Sequence, residues 1–166
     1  MVKIEILLKE GKVSRIKETE LPRYIEFFTE SYEDNLKHSE ANLDSYPRWS
    51  IISGYYSMHD ISKLLIAKVY RLKIEFEVHA TTIKVLRELL RDEEIIKLIE
   101  EGYKEFQNLA NELGDAKKDR IKVQYYTGTK FMKEKYMKRA KEFYHDVVKL
   151  YIEKVDRLLE SAAREK

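Results

Sequence analysis

Hydrophobic positions recur every three or four residues along most of the chain and alternate every second residue only near its start. Pro22 can open a first helix, because its missing N–H has no partner in a first turn, and Ile25, Phe28, Tyr32 and Leu36 then mark one helical face. Pro47 opens a second helix over residues 47–69. In it Trp49, Ile51, Ile52, Tyr55, Tyr56, Met58, Ile61, Leu64, Leu65 and Ile66 leave little room for a polar face. A helix apolar all round is expected at the centre of a bundle, and Ser53, Gly54 and Ser57 are places where a neighbouring backbone can approach it closely. A connector over residues 70–78 leads to a short third helix carrying Ile83, Leu86, Leu89 and Leu90. Asp92, Glu93 and Glu94 supply the acidic first turn favoured by the helix dipole. The fourth helix they open bears Ile95, Ile99, Tyr103, Phe106, Ala110 and Leu113 as one stripe, with Gly114 as its expected end. The last helix begins near Thr129 and runs almost to the C-terminus, with a seam of Tyr136, Ala140, Phe143, Val147, Tyr151, Val155 and Leu158.

Residues 1–20 read two ways. Ile4, Ile6 and Leu8 alternate like a strand that Glu10, Gly11 and Lys12 would turn back onto Val13 and Ile16; a short helix fits as well. Together the pattern predicts an all-α protein, an antiparallel up-and-down bundle of about five helices. Residues 21–166 form one domain, preceded by the N-terminal segment. A chain of 166 residues suffices for one core and is short for two.

Composition narrows the chemistry. There is no cysteine, which removes disulfides, thiolate metal sites and a cysteine nucleophile. The apolar stretches are broken by charge before the roughly 18 residues a membrane span needs, and the start lacks a basic-then-apolar leader pattern, so a cytoplasmic protein with no membrane partner is expected. Charged residues make up 37% of the chain while Gln and Asn are scarce, a balance that suits a thermophile. Lys and Arg (32) nearly match Asp and Glu (30), so only the placement of charge is informative. From Lys117 to Lys141 ten basic residues face two acidic ones, Asp119 and Glu134, with Tyr125, Tyr126, Phe131 and Tyr136 interleaved.

Three stretches in order carry a family likeness. Ser53-Gly54-Tyr55-Tyr56-Ser57-Met58-His59, His79-Ala80-Thr81-Thr82-Ile83 with Leu86-Arg87-Glu88-Leu89-Leu90, and Arg120-Ile121-Lys122-Val123-Gln124-Tyr125-Tyr126-Thr127-Gly128 resemble the tyrosine-rich central helix, the histidine-led short helix and the arginine-centred motif of the HEPN family. The likeness spans residues 22–159. It favours the helix over the hairpin for the N-terminal segment. It also implies a homodimer that brings two copies of the arginine motif together, an association with RNA or a nucleotide, and a small nucleotidyltransferase as partner in a toxin–antitoxin-like pair. Catalytic members of the family are metal-independent ribonucleases with a His four to six residues after the Arg. An Arg can clamp phosphate and stabilise its developing charge, and a His can move the proton of a ribose 2′-hydroxyl.

Arg120 is present here, but Tyr125 and Tyr126 stand where the His would be. An ordinary tyrosine, with a pKa near 10, is a poor general base at neutral pH. The resemblance therefore implies a binding module without efficient catalysis, with Arg120, Lys122, Tyr125, Tyr126, His59 and His79 as nucleotide- or RNA-binding candidates. Alternatives are a ribonuclease in which Tyr125, or His59 or His79 brought near by folding, replaces the missing His, and a structural dimerisation domain. Each candidate also has an ordinary role: Arg120 can pair with Asp115 or Asp119, the tyrosines can pack, His59 can be a hydrogen-bonded core residue, His79 can help to start a helix, and the basic run can be a solvated face. His38 and His145 have no company in the sequence. No two histidines are spaced i, i+4 and no glycine-rich phosphate loop occurs, so neither a metal nor another cofactor is expected.

Overall fold

The computed structural model describes residues 4–118 and 129–164. Helix α1 (Ile4–Lys9) is followed by strand β1 (Val13–Arg15), α2 (Leu21–Ala41), α3 (Pro47–Tyr70), strand β2 (Leu72–Ile74), α4 (Val78–Leu89) and α5 (Glu93–Lys118). After residue 128 come α6 (Thr129–Phe143), a π-helical segment (Tyr144–Val148) and α7 (Lys149–Arg164). The described residues are all-α apart from the two three-residue strands. No helix among the described residues is long and apolar enough to cross a membrane.

Named contacts give the up-and-down order. Across the short turn at 42–46, Ser39 and Ser50 exchange hydroxyl-to-carbonyl bonds of 2.8 and 2.7 Å, and farther along Ser31 donates to Asp60 at 2.7 Å, so α2 and α3 are antiparallel. Met58 lies against Gly102 and Tyr55 against Phe106, which sets α5 antiparallel to α3. Tyr136 donates to Glu112 at 2.7 Å and Lys154 to Glu94 at 2.7 Å, so the C-terminal helix returns along α5. It closes onto α2 through Lys141–Asp44 and Tyr32–Asp156. Helix α3 touches every other long helix, and Ile51, Tyr55, Met58, Ile61 and Ile66 are wholly buried on it. Gly54 marks the closest approach: a Cβ there would sit 3.0 Å from both Ser39 Oγ of α2 and Val148 Cγ2 of the π segment.

Several expectations need correction. Residues 4–9 do form the short helix, but β1 does not fold back on them. Gly11, at φ +68°, turns the chain so that Val13 to Arg15 pair antiparallel with Ile74 to Leu72, inside what reads in sequence as a connector. Leu7 and Val13 thereby join the main core. Helix α5 runs through Gly114 to Lys118; a glycine costs a helix about 1 kcal/mol but ends it only when the chain turns left-handed there. Asp92 acts as more than an acidic neighbour, its Oδ1 accepting the backbone N–H of Glu94 and Ile95 at 3.0 and 3.1 Å. Trp49 and Tyr56 are not part of the buried surround of α3, being 60% and 37% exposed. The π segment has a geometric cause. A seam stepping by four (Phe143, Val147, Tyr151, Val155, Leu159, all buried) over-rotates an α-helix by about 40° per step, and one wide π turn winds it back.

Candidate functional site

Two of the sequence-selected residues meet. His59 on α3 and His79 in the first turn of α4 stand with ring centroids 4.6 Å apart, because β2 folds the chain back and lays α4 across α3. Tyr55, one helical turn before His59, places its hydroxyl 2.7 Å from His79 Nδ1. From α5, Tyr103 stacks on His79 at 5.6 Å and Phe106 on Tyr55 at 4.8 Å. Tyr56 closes the cluster, edge-on to His79 and Phe106.

Burial sets the protonation states. It pushes the Tyr55 phenol well up, so Tyr55 keeps its proton and donates it to Nδ1, leaving the His79 proton on Nε2. His79 is itself held down at about 4, by burial first and then by His59 and Lys63. Burial also lowers His59, against the opposing pull of Asp60. Both imidazoles are therefore uncharged at neutral pH. His59 is 2% exposed; its Nε2 lies 3.3 Å from Thr82 Oγ1, and its Nδ1 has no hydrogen-bond partner among the described residues, with Asp60 Oδ1 at 3.8 Å. Asp60 is held by Ser31 at 2.7 Å and Asn35 at 3.2 Å, with the Lys63 ammonium at 4.0 Å. Lys63 in turn lies over the Phe28 ring at 4.9 Å.

This arrangement is badly placed to transfer protons to a substrate. His59 is closed off, and His79 spends one nitrogen on Tyr55. Among the described residues no group of three or more potential ligands is arranged to hold a metal.

A second feature occupies the end of the bundle where α5 stops and α6 starts. Tyr46 and Trp49, flanking the start of α3, are 64% and 60% exposed. Arg48 between them lies 5.6 Å from the Tyr136 ring, and Lys141 reaches Asp44 at 2.6 Å. These contacts set the basic α6 beside two open aromatic rings. Arg139 is spoken for by Glu105 and by Glu112 at 2.9 Å, whereas Lys133, Lys135 and Lys138 are exposed. Arg120, Lys122, Tyr125 and Tyr126 lie outside the described residues. His38 bonds Ser53 at 3.0 Å and is not part of either feature.

Compared with protein-family models, curated proteins and solved structures, the chain matches none. Sequence reasoning missed Tyr103 and Phe106, which read as an ordinary α5 stripe, and Tyr46 and Trp49. Pro47 was the available signal for the latter pair, since residues flanking a helix start are the least enclosed.

Proposed function

We propose that the chain is a HEPN-like module that binds RNA or a nucleotide and has little ribonuclease activity. The observation that carries this is the exposure of Tyr46 and Trp49, with Arg48 between them, beside the lysines of α6. Open rings next to cations are what unpaired bases and their phosphates bind, stacking being worth about 1–3 kcal/mol per base. Arg120, Lys122, Tyr125 and Tyr126, outside the described residues, belong to the same basic run in sequence. The reading of weak catalysis is supported by Tyr125 in place of a His, and by the enclosure of His59 and the engagement of His79.

Pairing into a homodimer, and work beside a small nucleotidyltransferase, follow from the family likeness alone. Most of the apolar surface of α3 is buried within the chain, with Trp49 and Tyr56 left exposed, and sedimentation at micromolar concentration tests the dimer.

The binding test uses the chain's single tryptophan. Trp49 fluorescence is expected to be quenched on titration with a short oligoribonucleotide, with affinity falling steeply as salt rises. Arg48→Ala should weaken the titration. A fluorescence signal and an electrophoretic mobility that both stay unchanged would overturn the reading.

A further inference from the structure

We propose that α4 is a proton-sensitive latch: a proton added to His79 loosens this helix from α3 and α5 while the four long helices stay packed. The inference concerns the imidazole cluster and is independent of the RNA-binding surface.

The case starts from where His79 sits. It is the second residue of a twelve-residue helix whose first turn contains no acidic residue. The amino end of a helix carries partial positive charge, so an imidazolium there is opposed by the α4 backbone itself. Its surroundings compensate only weakly, through Asp60, against burial, His59 and Lys63. Among the described residues, the titratable and charged groups facing the pair are Tyr55, Tyr56, Asp60 and Lys63 from α3 and Tyr103 from α5. The one carboxylate, Asp60, is already engaged by Ser31, Asn35 and Lys63. The second imidazole is 4.6 Å away. Protonation also fills the Nδ1 lone pair that accepts from Tyr55, the one hydrogen bond between His79 and α3 among the described residues, so the Tyr55 hydroxyl must turn its proton away and accept instead.

The joints at the two ends of α4 suit a moving part. Glu77, just before it, has φ +48°, a left-handed conformation costly for a residue with a side chain, and Leu90, just after it, is extended. The strand pairing ends at Ile74, and Lys12 holds the segment just before α4 through its carbonyl to the Glu75 and Phe76 N–H and its ammonium to Glu77 at 3.0 Å, so the joint lies at Glu77 itself. Between α4 and α5 lies a surface groove of about 440 Å³ lined by Ala80, Ile83, Lys84, Arg87, Glu100 and Tyr103 among others, and the Arg87–Glu100 ion pair there is the side-chain tie that opening would have to stretch or break.

The sign follows from linkage. His79 titrates at about 4 in the closed state against a reference of 6.5, so the closed state takes up the proton less readily than the open one. Its stability is complete above pH 6.5 and is lost as the pH falls towards 4. One proton gained on opening makes the opening equilibrium rise about tenfold per unit of pH within that window.

Hydrogen exchange on the full chain between pH 7 and pH 4.5 tests the latch, with amide rates divided by their intrinsic values at each pH. Protection of the α4 amides is expected to fall about tenfold per pH unit below 6.5, with α3 and α7 amides keeping theirs. In His79→Phe, which keeps a ring in the cluster and cannot titrate, α4 protection should be flat with pH. Should that variant fail to fold, the titration of the His79 ring by NMR in the native chain serves in its place. A midpoint below 6, together with α4 protection that falls progressively below pH 6.5, supports the latch. Loss of α4 and α3 protection together, α4 protection unchanged down to pH 4.5, or an ordinary His79 midpoint each overturns it.

Discussion

Replacing Ser62 by Ala is expected to destabilise the protein more than replacing Tyr151 by Phe, although each change deletes one hydroxyl of the same hydrogen bond. The two oxygens are 2.6 Å apart, and both side chains are wholly buried where α7 crosses α3. Ser62 also donates to the Met58 carbonyl at 2.6 Å, so its single proton is committed and it receives that of Tyr151. Tyr151→Phe leaves Ser62 with its carbonyl partner, and the loss is that of one ordinary hydrogen bond, about 0.5–1.5 kcal/mol. Ser62→Ala strands the phenol O–H in a wholly buried site, costing about 1–3 kcal/mol. The double variant has neither group to satisfy and should cost less than the sum of the two. Urea denaturation followed by circular dichroism, read as a shift in midpoint at unchanged slope, measures all three. If Ser62→Ala lies within about 0.3 kcal/mol of the native chain, or if the two changes are additive within that margin, the assigned donor and acceptor roles are wrong.

Three further outcomes follow from the packing and the motif. Leu65→Ala, at a site 1% exposed, should cost about 2–5 kcal/mol in the same assay. Gly54→Ala should cost about 1–3 kcal/mol, since its Cβ meets Ser39 and Val148 on two helices at once. Gly102→Ala should come close to neutral, because it meets only the tip of Met58, which can swing away, and gains about 1 kcal/mol of helix propensity; equal losses at the two glycines would refute this. With RNA in the presence of chelator the native chain should cleave little, and Tyr125→His should gain activity, a placed acid–base group being worth about 10² to 10⁴ in rate. Efficient cleavage by the native chain that Arg120→Ala abolishes would show that the proton is moved by another group.

The long helices were legible because each buries a stripe with a helical period. Helix α3, expected over residues 47–69, spans Pro47–Tyr70 with Tyr55 and Leu65 in the core, as its pattern requires. What escaped has no period to show. Three-residue strands cannot display alternation, so nothing linked Val13 to Ile74. The π turn is visible only as a run of four-residue steps, which looks like any other seam. Hydropathy made Trp49 a core residue, but its place in the first turn of α3 leaves it open. His59 and His79 could be picked out singly; their contact depends on α4 folding back over α3, and their protonation on burial by Tyr103 and Phe106 of a third helix. No local pattern contains that information.

The small sheet has a consequence for the order in which the molecule assembles. β1 is made early, but its partner β2 lies 61 residues farther along, beyond all of α2 and α3. Leu7 and Val13 therefore leave the ribosome with nothing to cover them, and closing so long a loop is entropically slow until the α2–α3 hairpin has drawn its ends together. A segment made before α2 and α3 is thus docked after them. A bulky fusion at the N-terminus should accordingly slow a late folding step and leave formation of the α2–α3 hairpin untouched.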